Sequence, residues 1–294
     1  MSNAHSATGR HQRALVITLV LTASYLVAEV VGGVLTGSLA LLADAGHMVT
    51  DVGGLAFALV AVRFARRPPT PARSYGYYRA EILAALANAV VLIGVSFYIL
   101  NEAYQRFWNP LPVASGWMLT IAVMGLAVNL AGIWILRAGS AESLNLKGAY
   151  FEVLSDLLSS IGVIVAALIM WFTGWRSVDA LASAGIGLFI LPRTWTLLRQ
   201  ATAVLLEGAP ADVDLTRLRA EIERLDGVTG VHDLHVWSLT SGMNAMSAHV
   251  VCDAAASRDD VLDRVHRCIT SGFKIAHVTV QLEGPGWEQK ETHF

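Results

Sequence analysis

From Ser38 to Phe64 the chain reads SLALLADAGHMVTDVGGLAFALVAVRF, an almost unbroken apolar run in which His47 and Asp51 stand four residues apart. On a helix, positions i and i+4 share a face, so the imidazole and the carboxylate point the same way. The run is long enough to cross a bilayer, which takes about 20 apolar residues. Ionisable side chains at that depth are costly and normally face a bundle interior or a water-filled cavity, paired with each other or with an ion. The pattern returns from Gly148 to Trp171, where Glu152 and Asp156 repeat the spacing in an equally apolar run. Two such pairs on two helices supply four ligands, the number that a tetrahedral divalent metal site takes. Without a cation, clustered carboxylates in lipid would be ruinous. Small residues beside each pair (Ala45, Gly46, Gly53, Gly54 and Ser155, Ser159, Ser160) favour close approach of the two helices.

The composition agrees with a membrane protein. Of 294 residues, 54% are hydrophobic and 15% charged, and the mean hydropathy is +0.53; ordinary soluble domains carry about 25% charged residues. Six runs are long enough to span: Ala14 to Leu35, Ser38 to Phe64, Glu81 to Tyr104, Val113 to Leu136, Gly148 to Phe172 and Val178 to Leu198. The polar segment 1–13 precedes them, and the first run is too long for a signal-peptide core. Between the second and third runs, ARRPPTPARSYGYYR must be an aqueous loop, because its prolines forbid continued helix and its arginines cannot sit in lipid. Basic residues crowd one set of connections: Arg10 and Arg13, then Arg63, Arg66, Arg67, Arg73 and Arg79, then Arg137 and Lys147, then Arg193 and Arg199, counted as following the sixth span. The opposite connections hold only Arg106 and Arg176. The positive-inside rule then places both termini in the cytoplasm, with the chain in the cell's inner (plasma) membrane.

The character changes near Leu205. Asp212 reads as a helix N-cap, followed at helical spacing by Val213, Leu215, Leu218, Ile222 and Leu225. Val228 to Thr240 and Met243 to Cys252 read as two strands around a Ser241-Gly242 turn, Ser257 to Gly272 as a second helix and Ala276 to Glu283 as a last strand. The order αββαβ describes a small α+β, ferredoxin-like domain with helices on one face of a three-stranded sheet. The expected organisation is thus a six-helix transmembrane domain over 14–204, a cytoplasmic domain over 205–283 and a loose tail over 284–294. Cys252 and Cys268 have no CxxC spacing and read as buried thiols in a reduced compartment.

The stretches LADAGHMVTD, RFARRPPTPARSYGYYRAEILAALANAVVL, FEVLSDLLSSIGVIVAALI, SVDALAS, VHDLHVWSLTSG, SAHVV and HVTVQLE resemble the cation diffusion facilitator family, most closely its zinc-transporter branch, across Ala14 to Glu283. The resemblance implies a homodimeric divalent-cation/proton antiporter with six spans and a metallochaperone-like cytoplasmic domain. It also implies a transport site from the second and fifth spans, on His47, Asp51, Glu152 and Asp156. In the cytoplasmic domain His232, His249 and Glu283 fall where family members bind regulatory zinc. His235 and His277 are further candidate ligands there, whereas Gln281 stands where a histidine can be, and amide oxygen is a poor zinc ligand.

Two departures matter. Zinc transporters usually carry His-x-x-x-Asp in the fifth span, and here the first member is Glu152. One imidazole and three carboxylates make a harder site that suits Mn²⁺, Fe²⁺ or Co²⁺ better than a nitrogen-rich one does, while zinc still accepts it. The loop Ala65 to Tyr78 lacks the Asp and His ligands that some relatives place there, and 137–147 lacks a histidine run.

Metal ligands must be deprotonated, so metal and protons compete for the same lone pairs, which is antiport in its simplest form. His47 is the natural exchanger, because an unperturbed imidazole titrates near ~6.5. The expected partners are divalent metals with Zn²⁺ foremost, protons, membrane lipid and a second copy of the chain, with no nucleic acid. Other metals (Mn²⁺, Fe²⁺, Co²⁺, Cd²⁺) as main substrate, or a membrane-bound metal sensor that moves no ions, are the alternatives. An enzyme is disfavoured, since no HExxH or similar ligand pair with a general base appears. Glu29, Asn88, Asn129 and Asp179 read as interhelical support, and Glu102 with Arg106 as a helical ion pair.

Overall fold

A computed structural model describes residues 2–49, 52–53, 68–137, 144–240, 242–273 and 275–286, with the side chains of 2–15 and 144–148 excepted. Asp51 and most of the second span beyond it lie outside the described residues. The chain divides into two compact units, Met1–Ala56 with Ala87–Thr196, and Phe57–Leu86 with Leu197–Phe294.

The first unit is helical. Helix α1 covers Ser2–Thr36 and α2 Leu39–Val49. They are followed by α3, Arg79–Trp108, α4, Ser115–Leu136, α5, Leu144–Thr173, and α6, Ser177–Leu205. Among the described residues, five stretches are long and apolar enough to cross a membrane: Val16–Thr36, Arg79–Trp108, Ser115–Leu136, Ala149–Thr173 and Ser177–Leu205. Helix α1 begins at Ser2, so the polar segment set apart by sequence continues the helix.

The turn between α1 and α2 needs Gly37, whose φ of 71° lies in the left-handed region. Three elements hold it. Ala114 N–H donates to the Thr36 carbonyl at 3.0 Å, Arg106 Nη1 to the Gly37 carbonyl at 2.8 Å, and Asp179 of α6 caps the start of α2. Asp179 accepts from Ser38 Oγ at 2.7 Å, Leu39 N–H at 2.7 Å and Ala40 N–H at 3.3 Å. A carboxylate there satisfies orphan amide donors and complements the helix dipole. The support reading thus fits Asp179, and also Asn129, whose Nδ2 donates to Ser160 Oγ at 3.2 Å between α4 and α5. Glu102 and Arg106 form their ion pair at 2.9 Å.

Leu41 and Ala43 of α2, Leu92 and Ile99 of α3, Met118 and Ala122 of α4, Val163 and Ala167 of α5 and Ile186 and Ile190 of α6 build one core. Close approach relies on small residues: a side chain at Gly125 would run into the Tyr25 ring. The outward surface is equally apolar, with Val27, Phe97, Trp134, Leu158 and Phe189 exposed. A helix that is apolar all round belongs in lipid.

The second unit has the order expected. Helix α7 covers Leu215–Glu223, strand β1 Val228–Thr240, β2 Met243–Cys252, α8 Arg258–Gly272 and β3 His277–Glu283. The sheet order is β1-β2-β3, with β1/β2 antiparallel and β2/β3 parallel. Leu218 and Ile222 of α7 and Val261, Val265 and Ile269 of α8 pack with Val236, Met246, Ala248 and Val250 of the sheet. The N-cap of α7 is Asp214, which accepts from Thr216 and Arg217 N–H, and Asp212 is not the cap. A turn in which Val213 N–H donates to the Pro210 carbonyl delays the helix. Residues 68–78 are turns with one isolated bridge, Thr70 to Arg73.

Candidate metal centre

In the membrane unit, α2 and α5 bring two of the four expected ligands together. His47 Nε2 lies 3.9 Å from Asp156 Oδ1, with both side chains buried. Glu152, one turn before Asp156 on α5, goes elsewhere: its Oε2 accepts from Arg193 Nη2 of α6 at 2.5 Å. Asp51 lies outside the described residues. Ligand atoms of His47, Glu152 and Asp156 do not gather within 4.8 Å of one another, the condition that a ready-made trio meets.

Two residues went unrecognised in the sequence. Arg193 is not a flank after the sixth span; it lies inside α6, directly after Pro192. Asp44, three residues before His47, is 1% exposed and its carboxylate faces Glu29 of α1 and Ser159 of α5. Glu29 is fully buried and accepts from Tyr25 Oη at 3.0 Å. Glu29, Asp44 and Asp156 interact electrostatically, so an acidic chain runs from α1 through α2 to α5. The sequence signal for Asp44 was a third ionisable group in the LADAGHMVTD run, beside His47 and Asp51.

The cytoplasmic ligands are already assembled. His232, His249 and Glu283 each offer an atom within 4.8 Å of the others. His232 Nε2 is 2.9 Å from Glu283 Oε2 and His249 Nδ1 is 3.1 Å from Glu283 Oε1. The sheet creates this: His232 pairs directly with His249 across β1/β2, and Val251, two residues on, pairs with Glu283 across β2/β3. Cross-strand partners share a face, here the one opposite the helices. Gln281 donates from Nε2 to Glu283 Oε1 at 2.8 Å, orienting the carboxylate. Burial pushes the Glu283 carboxyl up, but the hydrogen bonds from His232 and Gln281 and the charges of His232 and His249 outweigh it and hold it below its ordinary value.

His235 and His277 lie outside this trio. His235 Nε2 is 2.9 Å from Asp233 Oδ1, and His277 makes an edge contact with Tyr75 at 5.5 Å between ring centroids. Cys252 and Cys268 add no thiolate, since burial pushes both thiols above their ordinary value. A cavity of about 820 Å³ in this unit is lined by Tyr75, Arg79, His235 and Trp237 and lies away from the trio.

The cation efflux transmembrane domain matches residues 15–206, and the cytoplasmic domain of cation efflux proteins matches residues 210–285. The chain belongs to the cation efflux family. Among its relatives, the metal cation efflux system protein CzcD of Cupriavidus metallidurans is 48% identical over 99% of this chain and 93% of its own. The zinc transporter ZitB of Escherichia coli is 42% identical over 96% and 93%. A cadmium, cobalt and zinc/H(+)-K(+) antiporter of Bacillus subtilis is 40% identical over 94% and 90%. As a cation efflux protein the chain is a multi-pass membrane transporter, and both candidate clusters fall inside the matched domains.

Proposed function

We propose that this protein exports divalent metal, zinc foremost, in exchange for protons, and that His47, Asp51, Glu152 and Asp156 are the transport ligands. The observation that carries this reading is the buried approach of His47 on α2 to Asp156 on α5. A histidine facing a carboxylate inside an apolar bundle is a place where metal and proton can replace one another. With the site open to the cytoplasm the metal displaces protons, and on the far side protons displace the metal. Relatives named for zinc, cadmium and cobalt, one of them an antiporter, support both the substrate class and the exchange. Glu152 in place of histidine supports a breadth of substrate that includes cobalt and manganese.

Cytoplasmic termini follow from the loop charges, and a homodimer is in keeping with the matched cytoplasmic domain. His232, His249 and Glu283 fit a resident zinc in donor type: two imidazoles and a carboxylate leave room for a fourth ligand. Zinc there would act by binding one state of the carrier more tightly than the other, since equal affinity for both shifts nothing.

Metal-driven proton flux in proteoliposomes tests the reading, with wild type and Asp51→Ala compared across zinc, cadmium, cobalt and manganese. Zinc–proton exchange in wild type and its loss in Asp51→Ala are expected. Zinc binding by wild type with no proton movement for any metal would sink antiport in favour of sensing.

A further inference from the structure

Arg193 is a positive charge near the membrane ligands that the proposed exchange does not use. Sixteen residues into α6 and twelve from its end, it follows Pro192 and precedes Thr194 and Trp195. Arginine carries its charge at every physiological pH, and inside a span it must find a partner. One partner is Glu152, at 2.5 Å. The two α5 carboxylates, one turn apart on one face, therefore face different cationic groups: Asp156 the imidazole of α2, Glu152 the guanidinium of α6. With Glu152 turned to Arg193, the described ligands His47, Glu152 and Asp156 are not gathered as the cytoplasmic trio is.

A divalent ion that takes Glu152 as a ligand has to break this pair, and it leaves a fixed positive charge close to the bound metal. Both consequences weaken binding, and both are relieved when the metal departs and the pair re-forms. A proton can do the same work only at a suitable pH; a guanidinium does it always. We propose that Arg193 is a tethered counter-cation of the transport site: it replaces the metal on Glu152 in the empty carrier, and loading exchanges guanidinium for metal. This rests on the reading of Glu152 as a transport ligand. It makes Arg193 a positioning residue that tunes affinity and release, and it makes Glu152 available only to ions that outcompete the guanidinium.

The test uses the full-length protein with the cytoplasmic trio silenced by His232→Ala and His249→Ala. Zinc affinity is read by competition with a fluorescent chelator, and turnover in proteoliposomes. Arg193→Gln is expected to tighten zinc binding by about tenfold or more and to slow turnover at saturating zinc, while Arg193→Lys, which keeps the charge, stays within about threefold of wild type. In a Glu152→Gln background the same Arg193→Gln change should tighten binding by less than about a third of its effect in the presence of Glu152, because only the fixed charge remains and the pair that metal must break is gone. Unchanged or weaker binding in Arg193→Gln, or an equal effect with and without Glu152, overturns the proposal.

A measurement on the unmutated chain guards against misfolding of the variants. An arginine-selective dicarbonyl should label Arg193 at least about threefold faster with zinc bound, since loading frees the guanidinium. Equal or slower labelling overturns the proposal. The control Asp156→Asn separates the two readings. If it binds and moves zinc like wild type, the transport site itself is wrong and the proposal goes with it. If it is inactive while Arg193→Gln behaves like wild type, only the counter-cation fails.

Discussion

The two candidate metal clusters carry the same donor types in opposite constructions. In the cytoplasmic sheet, Glu283 touches both His232 and His249, and strand register fixes all three. In the membrane, His47 and Asp156 stand 3.9 Å apart on separate helices, and Glu152 is held by Arg193. A hydrogen-bonded ladder holds its residues to a fixed register, whereas packed helices can shift or rotate by an ångström or two, a known mode of switching. The contrast suits a cluster that keeps an ion and a cluster that has to give it up.

Removing ligands is the strongest way to break that contrast. On the proposed transport site, His47→Ala or Asp156→Ala should lower zinc flux by about a hundredfold or more, since each removes a proposed donor to the moving ion. His249→Ala should lower it by less than about tenfold, because a regulatory ion only shifts populations. Initial rates in proteoliposomes decide, and equal losses at the two clusters would erase the distinction. Glu152→His comes next: by replacing a hard donor with nitrogen it should raise the zinc-to-manganese rate ratio by about tenfold. An unchanged ratio would mean that Glu152 never reaches the ion.

The sequence shows the parts of this contrast unevenly. The spans stand out because lipid demands long apolar helices, and the i, i+4 pairs stand out because charge inside such helices needs a reason. The αββαβ order follows from period-two runs and turn residues around Gly242. Arg193 was hidden because depth is not written in sequence: an arginine after a proline near the end of an apolar run looks like a flank. The face that His235 takes was hidden in another way. His232 and His235 are three apart, which on a regular strand puts them on opposite faces. The register slips between them, at Asp233 with φ 50°, so that His232 faces His249 and His235 faces Ser247 on one side of the sheet. An added residue of this kind restores the parity and cannot be read from spacing.

Asp179 sharpens the comparison from the membrane side. Its buried carboxylate ties the start of α2, and so the helix of His47, to α6. Asp179→Asn keeps the shape and loses the charge, weakening three hydrogen bonds to a helix N-terminus. We expect a loss of about 1.5–3 kcal/mol, read as a lower unfolding temperature of the purified protein in detergent. Zinc affinity of the cytoplasmic trio should change by less than about twofold, as sites that share no partners behave independently. A weakened trio would show that the two clusters share more than a chain.

The smallest effect concerns acid. Glu283 titrates below the ordinary glutamate value of 4.5 in the folded domain, because the hydrogen bonds and charges of its neighbours favour the carboxylate over the cost of burial. A carboxyl with a lowered folded value binds fewer protons folded than unfolded, so it stabilises the fold above its unfolded value. That contribution is lost as pH falls through the lowered value. Without metal, Glu283→Gln should therefore destabilise β3 by about 1–2 kcal/mol near neutrality, and the gap to wild type should close below pH 4.5. Protease susceptibility of the β3 segment across pH, in variant and wild type together, reads this directly. A gap that persists unchanged into acid would mean that shape, and not charge, holds the trio together.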